Sequence, residues 1–141
     1  MKNRKIIVDT GPLVAFLNKR DHFHDWAVNQ FSILLPPFIT CEAVLSEVCF
    51  LLRNFPNGQK NVLELVERGL LLLPFDLETE AKSLLKLLDK YKDIPMSLAD
   101  GCLVRLSEQL SDSVICTLDS DFKIYKRFKR DTIPLIIPEN L

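Results

Sequence analysis

Ile6-Ile7-Val8-Asp9-Thr10-Gly11-Pro12 decides the fold: a short β-branched run stops at a carboxylate and turns away at once. β-branched residues suit a buried strand, and Gly-Pro forces a sharp exit from it. Proline at a first helical position already has the required φ, so helix is expected to resume at Pro12. A second stretch of this kind, Val114 to Leu118, runs into Asp119. Further strands are expected at Phe38-Ile39, Leu70 to Phe75 and Ile133 to Ile137. Helices are expected over Asp25 to Leu35, Cys41 to Asn54, Gln59 to Arg68, Asp76 to Lys92, Ser97 to Leu110 and, as a short one, Phe122 to Phe128. Thr40 reads as an N-cap, and apolar residues recur at helical spacing at 41, 44, 45, 48, 51 and 52, at 77, 81, 84, 85 and 88, and at 98, 99, 102, 103, 106 and 110.

Strands alternating with helices imply a parallel sheet, because a parallel connection needs a crossover and the crossover is usually a helix. The fold class is therefore α/β. Open sheets of this class bind ligands outside the carboxyl ends of the strands, where strand order reverses. Asp9 and Asp119 both follow predicted strands at that end.

The chain has 141 residues, 48% hydrophobic and 26% charged, with four glycines, which describes one globular domain over 1–141 and excludes a disordered or fibrous chain. Its net charge of −1 does not advertise a polyanionic or membrane partner, but the distribution is uneven. Asp76 to Asp121 holds ten acids against five bases, and Phe122 to Arg130 holds five bases and no acid. Cys41, Cys49, Cys102 and Cys116 form no CxxC pair and read as small core residues of a reducing compartment. No apolar run has the length of a membrane span or a signal-peptide core, so a cytoplasmic address is expected.

Acids in a globular chain are mostly solvated. Four depart from that expectation: Asp9 and Asp119 end strands, Glu47 lies inside an apolar helix, and Asp100 sits in the first turn of another. Turn chemistry would explain the first two, a water-facing flank Glu47, and a helix N-terminus Asp100. Their possible convergence on one crevice favours chemistry. Carboxylates crowded without counter-charge repel and take up protons, which a divalent cation relieves. An all-oxygen set selects hard ions such as Mg²⁺ or Mn²⁺, able to activate water and neutralise a phosphodiester.

The strings Ile6-Ile7-Val8-Asp9-Thr10-Gly11-Pro12-Leu13, Val44-Leu45-Ser46-Glu47, Met96-Ser97-Leu98-Ala99-Asp100-Gly101 and Thr117-Leu118-Asp119-Ser120-Asp121-Phe122, in this order and spacing, resemble the PIN-domain ribonucleases. Within them the likeness is to the toxin of VapBC-type toxin–antitoxin pairs, and it runs from about Lys5 to Ile137. The resemblance implies a three-layer α/β/α fold with a central parallel sheet of four to five strands. It also implies dependence on Mg²⁺ or Mn²⁺ and endonucleolytic cleavage of RNA, such as transfer or ribosomal RNA, leaving a 5′-phosphate and a 3′-hydroxyl. By matching position, Asp9, Glu47, Asp100 and Asp119 are the catalytic, metal-binding acids, with Asp121 as an outer acid and Thr117 as an orienting hydroxyl. The chain departs from the pattern at Ser97, where many relatives carry an acid, and at Gly101, where they carry a residue such as Ala. Neither change removes an expected ligand. The family further implies a cognate antitoxin and a homodimer, with Phe16, Phe23, Trp26 and Phe31 as core or interface residues.

Other readings weigh less. Lys123, Lys126, Arg127, Lys129 and Arg130 suit either RNA phosphates or a solvated helix face, with Tyr125 and Phe128 anchoring that helix. His22 and His24 lack a third soft ligand and read as a surface loop. Asp9-Thr10-Gly11 matches the aspartic-protease triplet, but that chemistry needs two such carboxylates on facing β-rich halves. A phosphatase of small esters would need a phosphate-binding motif that is not visible. The principal rival is a PIN-like module that binds RNA or protein without cutting.

Overall fold

A computed structural model describes residues 4–141. Strands β1 (Lys5–Val8), β2 (Phe38–Ile39), β3 (Leu71–Leu72), β4 (Ser113–Cys116) and β7 (Leu135–Ile136) form one parallel sheet in the order β3-β2-β1-β4-β7. Helices α1 (Thr10–Leu17) and α2 (His24–Ile33) link β1 to β2, α3 (Glu42–Leu51) and α4 (Gly58–Glu67) link β2 to β3, and α5 (Leu77–Lys90) and α6 (Leu98–Gln109) link β3 to β4. The result is the expected three-layer α/β/α arrangement, with five strands. The chain walks outward from β1 and returns to its other side at β4. The reversal of strand order therefore falls between β1 and β4, the two strands that carry Asp9 and Asp119 at their ends.

β1 and β4 read as continuous apolar runs because both faces of the central sheet are covered. Ile7, Val8, Ile115 and Cys116 are fully buried, and α6 presents Leu103, Val104 and Leu106 to the same core. The stripe of α5 is narrower than expected: Leu84 is buried and Leu87 and Leu88 partly so, while Leu77, Ala81 and Leu85 face outward.

Several local expectations are corrected. Helix resumes at Thr10, two residues before Pro12, because the Asp9 carboxylate caps it by accepting the Thr10 N–H at 2.7 Å. Thr40 is not a cap: its buried hydroxyl donates to the Val8 carbonyl at 2.8 Å, tying β2 to β1, and Cys41 takes the N-cap position. The strand expected over Leu70 to Phe75 shortens to Leu71–Leu72, since Pro74 has no N–H for a ladder. The helix expected over Phe122 to Phe128 is absent. A single 3-10 turn (Ser120–Lys123) gives way to an antiparallel hairpin of β5 (Lys126–Arg127) and β6 (Asp131–Thr132), in which Arg127 faces Asp131. Tyr125 does anchor this segment in the core, but Phe128 lies in the exposed hairpin turn.

His24 opens α2 with its ring nitrogen 2.7 Å from the Ala15 carbonyl, and His22 packs edge-on against Phe23. Phe16, Phe31 and Phe38 stack edge-to-face in series, while Phe23 and Trp26 are half-buried. Among the described residues no helix is long and apolar enough to cross a membrane. Cys41, Cys102 and Cys116 are buried, and Cys49 is partly so.

Candidate active site

The first carboxylate is set by β1. The Asp9 N–H bonds the Cys116 carbonyl at 3.0 Å, so the residue leaves the sheet beside the end of β4. Gly11 eases the approach that follows: a Cβ there would stand 3.1 Å from the Leu118 side chain, which would have to give by a few tenths of an ångström for the first turn of α1 to close as tightly on the loop that carries Asp119. Asp9 is 6% exposed, with one oxygen accepting from Thr10 and the other from the Thr117 hydroxyl at 2.7 Å.

Thr117 does two jobs. Its hydroxyl donates to Asp9 and accepts the Asp119 N–H at 2.9 Å, fixing one strand-end acid against the next. The Asp119 carboxylate in turn accepts the Asp121 N–H at 2.9 Å and shapes the 3-10 turn that follows. Asp119 and Asp121 are both half-buried.

Asp100 enters from the first turn of α6. Ser97 and Asp100 form a reciprocal capping box, with the Ser97 hydroxyl accepting the Asp100 N–H at 3.0 Å and the Asp100 carboxylate accepting the Ser97 N–H at 3.4 Å. A carboxylate at this position also benefits from the positive end of the helix dipole. Asp100 is 8% exposed, and the buried Tyr125 hydroxyl donates to its Oδ2 at 3.1 Å.

Glu47 lies apart from these three. Its side chain is exposed on α3, and the Thr10 hydroxyl donates to it at 2.7 Å. Thr10 thus binds Asp9 through its N–H and Glu47 through its hydroxyl, placing Glu47 at the rim of the same crevice. The structure therefore draws Asp9, Asp100 and Asp119 into mutual electrostatic reach, with Asp121 close to Tyr125 and Glu47 one residue outside. Thr10 and the Tyr125 hydroxyl are contributions that sequence reasoning missed. No periodicity reports a hydroxyl that acts across the chain.

The electrostatics show what the arrangement costs. Burial, opposed by the Thr117 and Thr10 hydrogen bonds and reinforced by the charges of Asp100 and Asp119, pushes the Asp9 carboxyl up to about 6. Burial likewise raises Asp100, against the hydrogen bonds from Ser97 and Tyr125. Burial and the Asp100 charge drive the Tyr125 phenol upward, so it remains a donor. A cation would relieve all three effects.

Among the described residues no group of three or more carboxyl, thiol or imidazole side chains is arranged to hold a metal ion by itself. The donors nevertheless fit a hard ion. Mg²⁺ is held by one or two carboxylates and keeps several waters, so two buried acids with half-buried and rim acids around them suit a hydrated cation better than a closed cage.

The sequence matches the PIN domain family over residues 6–127. Among solved structures, the chain is similar to Mycobacterium tuberculosis VapC20, described as a sarcin-ricin loop cleaving toxin, with a TM-score of 0.78 at 18% identity, over 90% of this chain and 99% of that one. It is also similar to FitAcB from Neisseria gonorrhoeae, with a TM-score of 0.56 at 21% identity, over 82% of this chain and 88% of that one. No curated protein matches the sequence.

Proposed function

The chain belongs to the PIN domain family, and on that premise we propose that it is a metal-dependent endoribonuclease, acting as a single domain over 1–141, in which Asp9, Glu47, Asp100 and Asp119 are the catalytic acids. The observation that carries this reading is the pair of buried carboxylates, Asp9 and Asp100, kept beside Asp119 with no cationic side chain in the hydrogen-bond set around them. An arrangement that disfavours its own ionised form suits a site whose counter-charge arrives from outside. Asp9, Glu47, Asp100 and Asp119 would hold Mg²⁺ or Mn²⁺, which when bound neutralises the phosphodiester and activates water for in-line attack. The chain's own hydroxyls do the positioning: Thr117 fixes Asp9 relative to Asp119, Thr10 fixes Glu47, and Tyr125 fixes Asp100. Asp121 serves as an outer acid.

The toxin reading draws on the likeness to VapC20. It brings with it a structured RNA substrate such as transfer or ribosomal RNA, a cognate antitoxin, a homodimer and a cytoplasmic address. The rival reading, a module that binds without cutting, draws on the exposed position of Glu47 away from the inner acids.

The test is cleavage of total cellular RNA by purified protein with Mg²⁺ or Mn²⁺ and with EDTA, beside a folded Asp100→Asn variant. Discrete fragments that require both the metal and Asp100 are expected, with 5′-phosphate ends. Well-folded, inhibitor-free protein that leaves RNA intact in every metal would overturn the enzyme and favour the binding module.

A further inference from the structure

We propose that the groove between α5 and the β5–β6 hairpin is a binding site for the phosphate backbone of RNA, which it leads to the acidic crevice; this rests on the nuclease reading above. The groove encloses about 470 Å³ and is lined by Lys86, Lys90, Lys126 and Lys129 together with Ser83, Leu87 and Glu108. Two lysines come from successive turns of α5, and two from a hairpin more than thirty residues further along the chain. The expected helix over this segment would have given a basic face; the hairpin gives a basic cleft.

The charge in this cleft is only partly compensated, four lysines facing one carboxylate. Among the described residues the ion pairs are Arg4–Asp112, Arg105–Glu80 and Arg105–Glu108, and none involves these four lysines. The carboxylate that lines the groove, Glu108, is already engaged, accepting from the Arg105 guanidinium at 3.0 Å and from the Phe128 N–H at 2.7 Å. Lys90 Nζ donates to the Lys129 carbonyl at 2.7 Å, which joins the two walls but leaves its charge unmatched. Four neighbouring ammonium groups attract a polyanion with regularly spaced charges.

The hairpin turn adds a second feature. Phe128 and Lys129 are consecutive non-glycine residues in the left-handed region, at φ 52° and 72°. Glycine would hold such a turn without strain. The strained turn presents the Phe128 ring 45% exposed, with the Arg127 guanidinium 5.3 Å from its centroid. An exposed aromatic face beside a row of cations is the combination that holds single-stranded nucleic acid, with bases stacked and phosphates neutralised.

The groove also adjoins the acids. The Lys126 N–H donates to the Tyr91 hydroxyl at 2.8 Å, the Tyr91 and Tyr125 rings pack at 5.1 Å, and the Tyr125 hydroxyl reaches Asp100. A two-tyrosine wall thus separates the cationic groove from the carboxylates. Both rings are buried, so a strand lying in the groove would reach the acids by crossing the surface above them.

The test is fluorescence anisotropy with a short, labelled, mixed-sequence single-stranded RNA in EDTA, where hydrolysis is suppressed, over a range of salt. Lys86→Gln/Lys126→Gln should weaken binding roughly tenfold and lower the slope of log Kd against log salt by about 1.4, at about 0.7 per phosphate contact. Lys86→Arg/Lys126→Arg should restore both, which separates charge from folding. Unchanged affinity and slope in the glutamine variant would overturn the proposal. Lysine-dependent binding of polyglutamate with none of RNA would also overturn it and assign the groove to an acidic polypeptide. RNA binding that depends on the lysines, without metal-dependent cleavage, upholds the groove and removes the enzyme; cleavage with lysine-independent binding does the reverse.

Discussion

Replacing Asp9 by Asn should stabilise the metal-free protein, and the pH dependence of that gain isolates its cause. The native carboxyl titrates at about 6 against 3.8 for an unperturbed Asp. The native state therefore retains a proton that the unfolded state loses between these values. Stability linked to Asp9 is fully present below 3.8 and is lost as pH rises through about 6. One pH unit is worth about 1.4 kcal/mol, so the ionised carboxylate costs the fold about 3 kcal/mol above neutrality. Asn cannot ionise and escapes this cost. Asn presents one acceptor to Thr10 and Thr117 where the carboxylate presents two, a deficit already contained in the net shift to about 6; what remains independent of pH is the difference between an amide and a protonated carboxyl in the same place.

Thermal unfolding of wild type and Asp9→Asn in EDTA, from pH 4 upward in steps to pH 8, separates the two contributions. The difference in Tm should move in favour of the variant by roughly 10 °C across the range for a chain of this size, most steeply between 3.8 and about 6, and level off above that. Saturating Mg²⁺ or Mn²⁺ should reverse the order at high pH, because the cation stabilises only the carboxylate form. A Tm difference that stays constant from low to high pH in EDTA would refute the claim that burial and crowding hold this proton.

Three other substitutions probe the supports of the site. Tyr125→Phe removes the hydroxyl that lowers the Asp100 pKa, so the pH profile of RNA cleavage should move to higher pH, at a stability cost of about 1–2 kcal/mol; an unmoved profile would remove Tyr125 from its positioning role. Thr10→Val cuts the tie to Glu47 and should weaken Mn²⁺ binding, followed by metal-induced Tm shifts, by roughly tenfold, and unchanged affinity would exclude Glu47 from the metal's surroundings. Gly101→Ala meets Leu84 and Met96 only at ordinary contact distances, 3.5 and 3.8 Å, so it should raise stability by up to about 1 kcal/mol with cleavage intact, and a lower Tm would show that the helix there is tighter than these distances indicate.

The parts of the fold that were legible in sequence are those that local chemistry dictates. Ile6-Ile7-Val8 and Val114 to Cys116 are buried on both faces, and an apolar run ending on an acid says as much. Ser97 and Asp100 carry their capping box in their own spacing. The hairpin was not legible, because the pairing of Lys126 with Thr132 and Arg127 with Asp131 appears in no helical or alternating period. Tyr125 and Phe128, three apart, imitated a helix face while one went to the core and the other to solvent. Thr40 misled for a related reason: its hydroxyl bonds Val8 across the sheet, a distance that chain position does not report, whereas Thr117 orients the Asp9 carboxylate as its matching position implied.

A net charge of −1 conceals the most consequential arrangement in the molecule. The acids of the crevice and the lysines of the groove lie on either side of the Tyr91–Tyr125 wall, and among the described residues no ion pair crosses it. Pairing them would stabilise the free protein by lowering the carboxylate pKa values and quenching lysine repulsion. It would also leave nothing for a cation or a phosphate to neutralise. The arginine that is paired, Arg105 with Glu80 and Glu108, sits on the far turns of α6, where it takes Glu108 out of competition for the lysines. Segregated charge of both signs, each destabilising alone, is the arrangement expected where a metal and a polyanion must bind side by side.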